Sequence, residues 1–85
     1  MANDRKNKTL PGLRISEAAK VAGVSKQTIE YYIMLDLVRP VRLEKDRRTM
    51  RFFDREAIKR IKLVRRLNDS GYTLRDIRQT YLHRR

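Results

Sequence analysis

Apolar residues along this chain recur at helical spacing, then alternate, then return to helical spacing, and each change of period marks an element. Ile15, Ala18, Ala19 and Ala22 lie at i, i+3, i+4 and i+7. That spacing predicts a short helix with one apolar stripe, entered through Leu13-Arg14 and capped by Ser16. Gly23 permits a sharp turn, and Ser25 suits the cap of a second helix from about Lys26 to Leu35. In that helix Ile29, either Tyr32 or Ile33, and Leu37 just beyond face inward, which leaves Lys26, Gln27, Glu30 and Tyr31 outward. Adjacent tyrosines on a helix point about 100° apart, so Tyr31 and Tyr32 cannot both be fully inside. Two helices meeting at Gly23-Val24-Ser25 have the form of a helix-turn-helix.

Pro40 holds the residue before it extended, and beyond it Val41-Arg42-Leu43 and Met50-Arg51-Phe52-Phe53 alternate at strand period. They predict a β-hairpin around the charged stretch Glu44 to Thr49. That stretch has no glycine, so a tight two-residue turn is not expected. A charged hairpin beside a helix-turn-helix is the wing of a winged helix. Asp54 then caps a third helix running to about Asp69. Ala57, Ile58, Ile61, Val64 and Leu67 form its apolar stripe, and Arg55, Lys59, Arg60, Lys62, Arg65 and Arg66 its basic face. Ser70-Gly71 stops that helix, with Gly71 suited to a left-handed end position. Thr73-Leu74-Arg75-Asp76 resembles a capping box with the acid shortened, and Leu74, Ile77 and Tyr81 predict a last helix to about Leu82. The expected fold is mainly α with a small β-hairpin: a winged helix-turn-helix followed by a two-helix extension, over residues 13–85. Residues 1–12 are polar and basic, and are expected to form a disordered tail.

Charge adds a partner to this picture. Lys and Arg number 22 against 10 Asp and Glu, a net charge of +12 on 85 residues. Positive charge this dense, on a helix-turn-helix, points to nucleic acid. The length suits one domain with a modest core and leaves little room for a deep substrate cavity. There is no cysteine, which excludes disulfides and thiolate metal sites. No apolar stretch is long enough to cross a bilayer, and no basic face is joined to a wide apolar one. Neither a nucleophile–base pair, nor paired carboxylates, nor a ligand cluster stands out, so no enzyme, metal or cofactor is expected. His83 stands alone near the end and reads as solvent-facing. The second helix, opening with Ser, Lys, Gln and Thr, is the candidate reader of bases. Arg47, Arg48 and Arg51 of the hairpin are candidate phosphate contacts, with a solvated loop tip the equal alternative for Arg47 and Arg48.

The order of elements resembles the N-terminal DNA-binding domain of the MerR family of bacterial transcription regulators. The residues that carry the resemblance are Ile15-Ser16-Glu17-Ala18-Ala19, Gly23-Val24-Ser25, Thr28-Ile29, Tyr31-Tyr32, Leu37-Val38-Arg39-Pro40, Arg51-Phe52-Phe53 and Gly71-Tyr72-Thr73-Leu74 with Ile77. The resemblance implies that the second helix enters the major groove, with Lys26, Gln27, Glu30 and Tyr31 facing bases or nearby phosphates. It implies that Tyr32, Arg51, Tyr72 and Thr73 hold the phosphate backbone, and the start of the first helix at Ser16, with Thr28, joins them as candidate contacts. Three positions depart from the family pattern. Glu30 stands where the family usually has Arg or His; it either accepts from a cytosine amino group or pairs with Lys26 one turn earlier. Ile33 replaces an acidic residue. Phe53 replaces a tyrosine, which assigns it to the core. Family members continue into a pairing helix and an effector domain, and this sequence ends before either; it reads as an excised domain or a small stand-alone member, and a monomer or weak dimer without a sensing domain is expected.

The resulting expectation is a cytoplasmic, nucleoid-associated transcription regulator that binds specific double-stranded DNA sequences, with RNA polymerase or another protein as a further candidate partner. An architectural, excisionase-like accessory role and a protein-interaction adaptor are the alternatives. RNA binding ranks below them, since neither an aromatic-bearing sheet nor a GxxG loop is present.

Overall fold

Each of the first three helices closes with the same local motif, and those closures set the path of the chain. The computed structural model describes residues 10–82. Helix α1 spans Ile15–Ala22, α2 Lys26–Met34 and α3 Arg55–Asp69. After α1, the amides of Gly23 and Val24 donate back to Lys20 and Ala19. After α2, those of Asp36 and Leu37 donate to Ile33 and Tyr32; after α3, those of Gly71 and Tyr72 donate to Asn68 and Leu67. Each closure needs one residue at positive φ, and Gly23, Asp36 and Gly71 supply it at 75°, 63° and 113°. Gly23 has no side chain to strain there. Asp36 tolerates the conformation, and its carboxylate is held by Arg39 at 3.0 and 3.2 Å.

Caps at the helix starts follow the sequence at Ser25, Asp54 and Thr73, whose side chains accept from the amides of Thr28, Ala57 and Asp76. Ser16 is a correction. The N-cap position of α1 is Arg14, no side chain caps it, and Ser16 lies inside the first turn. The reason is a two-way bridge between Leu13 and Phe53, with N–O distances of 3.0 and 2.7 Å. It fixes where the chain leaves extended geometry, so the helix begins at Ile15. Gly12, one residue earlier, passes so close that an added Cβ would stand 2.5 Å from the Phe53 carbonyl oxygen.

The hairpin pairs β1, Val41–Lys45, with β2, Arg48–Phe52, in register Val41 to Phe52 and Lys45 to Arg48. The strands are longer than the alternation alone indicated, and the connection is the tight two-residue turn that the sequence argued against. Asp46 and Arg47 both take positive φ, 53° and 67°. Backbone of that hand matches the twist of the flanking strands. Ladder bonds on both sides hold it, although a non-glycine residue there costs roughly 1–2 kcal/mol. The final helix is shorter than expected: α4 covers Leu74–Ile77 and continues as one wider, π-type turn over Arg78–Leu82.

The core joins the helices and the segments that flank the hairpin. Ala18, Ala19 and Ala22 of α1 pack with Ile29 and Tyr32 of α2, Leu37 and Val38 of the connection, and Phe53. Ala57, Ile61 and Val64 of α3 and Ile77 of α4 complete it. Three alanines in one stripe let α1 lie close to its neighbours. Phe53 is buried, as its missing hydroxyl suggested, and Phe52 is buried beneath the Arg14 guanidinium, 5.4 Å from the ring centre. Of the tail expected over residues 1–12, residues 1–9 fall outside the described residues, as does His83, while Gly12 packs against the Phe53 backbone.

Candidate nucleic-acid interface

Helix α2 is the element on which the candidate site is built. Ile29 and Tyr32 turn inward and fix its rotation. Lys26, Gln27, Glu30, Tyr31 and Met34 then fall on one exposed arc, spanning about 140° at helical spacing. Met34, at 70% exposure the most open large apolar side chain among the described residues, is a member the sequence reading passed over. Its signal was its place one turn beyond Glu30. Of the two tyrosines, Tyr31 is 48% exposed and Tyr32 is 4% exposed. Burial raises the Tyr32 phenol pKa above its ordinary value, with the Asp69 charge adding to the shift and Arg65 opposing it. Among the residues expected at phosphate, Tyr32 is the one the fold buries.

Glu30 does not pair with Lys26. Its carboxylate accepts two hydrogen bonds from Arg51 of β2, at 2.9 and 2.7 Å, across 21 residues of sequence. A two-pronged guanidinium–carboxylate contact fixes orientation as well as distance. The hydrogen bond from Arg51 is the main reason the Glu30 pKa lies below its ordinary value, its charge adds to the effect, and partial desolvation works against it. The two residues assigned separately, one to bases and one to phosphate, are thus brought into one pair.

The wing arginines part company. Side chains alternate along a strand, so Arg51 and Thr49 share one face of β2, while Arg48 and Met50 share the other with buried Phe52. Arg51 lies on the side toward α2. Arg48 lies on the side where Arg14 covers Phe52. Arg47 sits at the turn itself and is exposed.

The hydroxyls of Ser25 and Thr28 are 2.9 Å apart, and that of Thr73 accepts from Asp76, so Thr28 and Thr73 serve helix starts. Tyr72 is exposed at the entry to α4, and Ser16 is exposed in the uncapped first turn of α1. Arg65, read from the sequence as part of a solvated face, instead donates to the Gly23 carbonyl at 2.8 Å and lies 3.5 Å from Asp69. It ties α3 to the turn between α1 and α2. Nothing in the helical period of α3 distinguishes Arg65 from its basic neighbours, since the partner is 42 residues away.

A family model described as MerR HTH family regulatory protein matches residues 13–82. The chain belongs to this family. The mercuric resistance operon regulatory protein of Bacillus cereus is 37% identical over 65 residues, covering 75% of this chain and 47% of that protein. The HTH-type transcriptional regulator CueR of Bacillus subtilis (strain 168) is 37% identical over 65 residues, covering 76% of this chain and 43% of that protein. The chain therefore spans less than half the length of the relatives it matches. No solved structure matches it significantly. For this MerR-family chain, the described residues include no cluster of three or more potential metal ligands and no helix long and apolar enough to cross a membrane.

Proposed function

We propose that this MerR-family chain binds duplex DNA sequence-specifically, as the DNA-binding portion of a transcription regulator, with α2 reading bases in the major groove. One observation carries the reading. Lys26, Gln27 and Tyr31 are exposed on one arc of α2, and among the described residues none of the three is held by another side chain. Polar groups left unengaged on a short exposed helix suit base edges: lysine donates to guanine, and glutamine can both donate to and accept from adenine. The positive charge around them supplies the non-specific part of the affinity. Arg47 and Arg48 of the wing, Tyr72, and the uncapped amides at Ser16 are the proposed phosphate contacts.

Selection of preferred sites from a randomised duplex pool tests this. Lys26→Ala or Gln27→Ala is expected to relax preference at one base pair, by roughly 1–3 kcal/mol where a two-pronged contact is lost. Binding of every sequence weakened equally by these substitutions, with preference intact, would place the reader elsewhere.

A further inference from the structure

We infer that Glu30 and Arg51 form a strut that stays closed on DNA, so that Glu30 is a positioning residue for the wing and not a reader of bases. The inference rests on the DNA-binding reading of α2 and goes past it. Three observations support it. The pair uses both carboxylate oxygens and both terminal nitrogens of the guanidinium, 2.9 and 2.7 Å apart. Arg51 is the less exposed partner, its side chain 29% accessible against 51% for Glu30. Within the hairpin Arg51 stands directly opposite Arg42. Like charges facing each other across a ladder repel, and the Glu30 carboxylate offsets that repulsion.

Opening the pair on DNA would exchange one anion for another at Arg51 while leaving the Glu30 carboxylate unpaired beside phosphates. That exchange gains little and adds a repulsion. A closed pair carries no net charge, so it neither attracts nor repels phosphate at long range. What it supplies is a fixed angle between α2 and the wing, which determines where Arg47 and Arg48 meet the backbone when α2 is seated.

A charge swap tests the strut, because Glu30→Arg with Arg51→Glu keeps the net charge and can rebuild the pair in reverse. The four proteins of the cycle are compared: the natural chain, E30R, R51E and the double variant. In thermal unfolding without DNA, E30R is expected to lower the midpoint by a few degrees, since it places a further cation beside Arg42 and Arg51, and adding R51E is expected to restore it. Failure of the double variant to recover stability overturns the strut. In duplex titrations, R51E alone is expected to weaken every sequence by at least about tenfold, and the double variant to return within about threefold of the natural chain with its base preference unchanged. A double variant that stays tenfold weak would mean that Arg51 grips phosphate, and an altered preference at one base pair would mean that Glu30 reads a base; either overturns the inference. If the natural chain binds no duplex at all, the DNA reading fails instead, and the unfolding cycle still decides whether the strut exists.

Discussion

Glu30 shows how one side chain changes meaning between sequence and structure. In sequence it is a carboxylate on a helix meant for an anion, with Lys26 one turn earlier as the nearest partner. In space Arg51 reaches it from β2 with two short hydrogen bonds. Helical spacing cannot disclose a partner 21 residues away on a hairpin, so nothing short of the packed structure identified it. A titration follows from the pair. The folded carboxyl has a pKa below its ordinary value of 4.5, so its contribution to stability is present above that value and is lost as pH falls through the lowered one. Thermal midpoints of the natural chain and Glu30→Gln are expected to differ most above the ordinary carboxyl range and to converge on acidification. A difference that holds constant, or grows, as pH falls would contradict the pair.

At the scale of elements, the helices were legible and the joints between them less so. The stripes of α1 and α3, the caps at Ser25, Asp54 and Thr73, and the stop at Gly71 are local patterns, and the structure follows them. The start of α1 was misplaced because a long-range bridge, Leu13 to Phe53, sets it. The hairpin turn departs from the expectation because positive φ does not require glycine where paired strands hold Asp46 and Arg47 there. That strain gives a prediction separating stability from binding. Arg47→Gly is expected to keep or raise stability, by up to about 1 kcal/mol, because it relieves a left-handed arginine at some cost in unfolded-chain entropy. If Arg47 contacts one phosphate, the same substitution is expected to flatten the log–log salt dependence of duplex binding by about 0.9. Urea unfolding and a salt series on this one variant read both effects. A large loss of stability would contradict the strain argument, and an unchanged slope would place Arg47 at a solvated tip.

Across the whole molecule, one packed core joins the helices and orients α2, the Glu30–Arg51 pair links α2 to the wing, and a net charge of +12 is distributed over the chain. Arg65 to Gly23 and Glu30 to Arg51 tie α2 or its preceding turn to α3 and β2. Family membership and fold were readable because their signals are spread over many positions; the exposed face of α2 followed from helical spacing, but the side-chain pairings across elements did not. The central claim is that this charge and this arc serve duplex DNA. Its most direct test is titration of the chain against duplex DNA and single-stranded RNA over a range of salt concentrations. Tighter binding to the duplex is expected, with log affinity falling linearly in log salt by about 0.9 for each phosphate neutralised. Absence of duplex binding at the lowest salt, or tighter binding to the single strand, would contradict it.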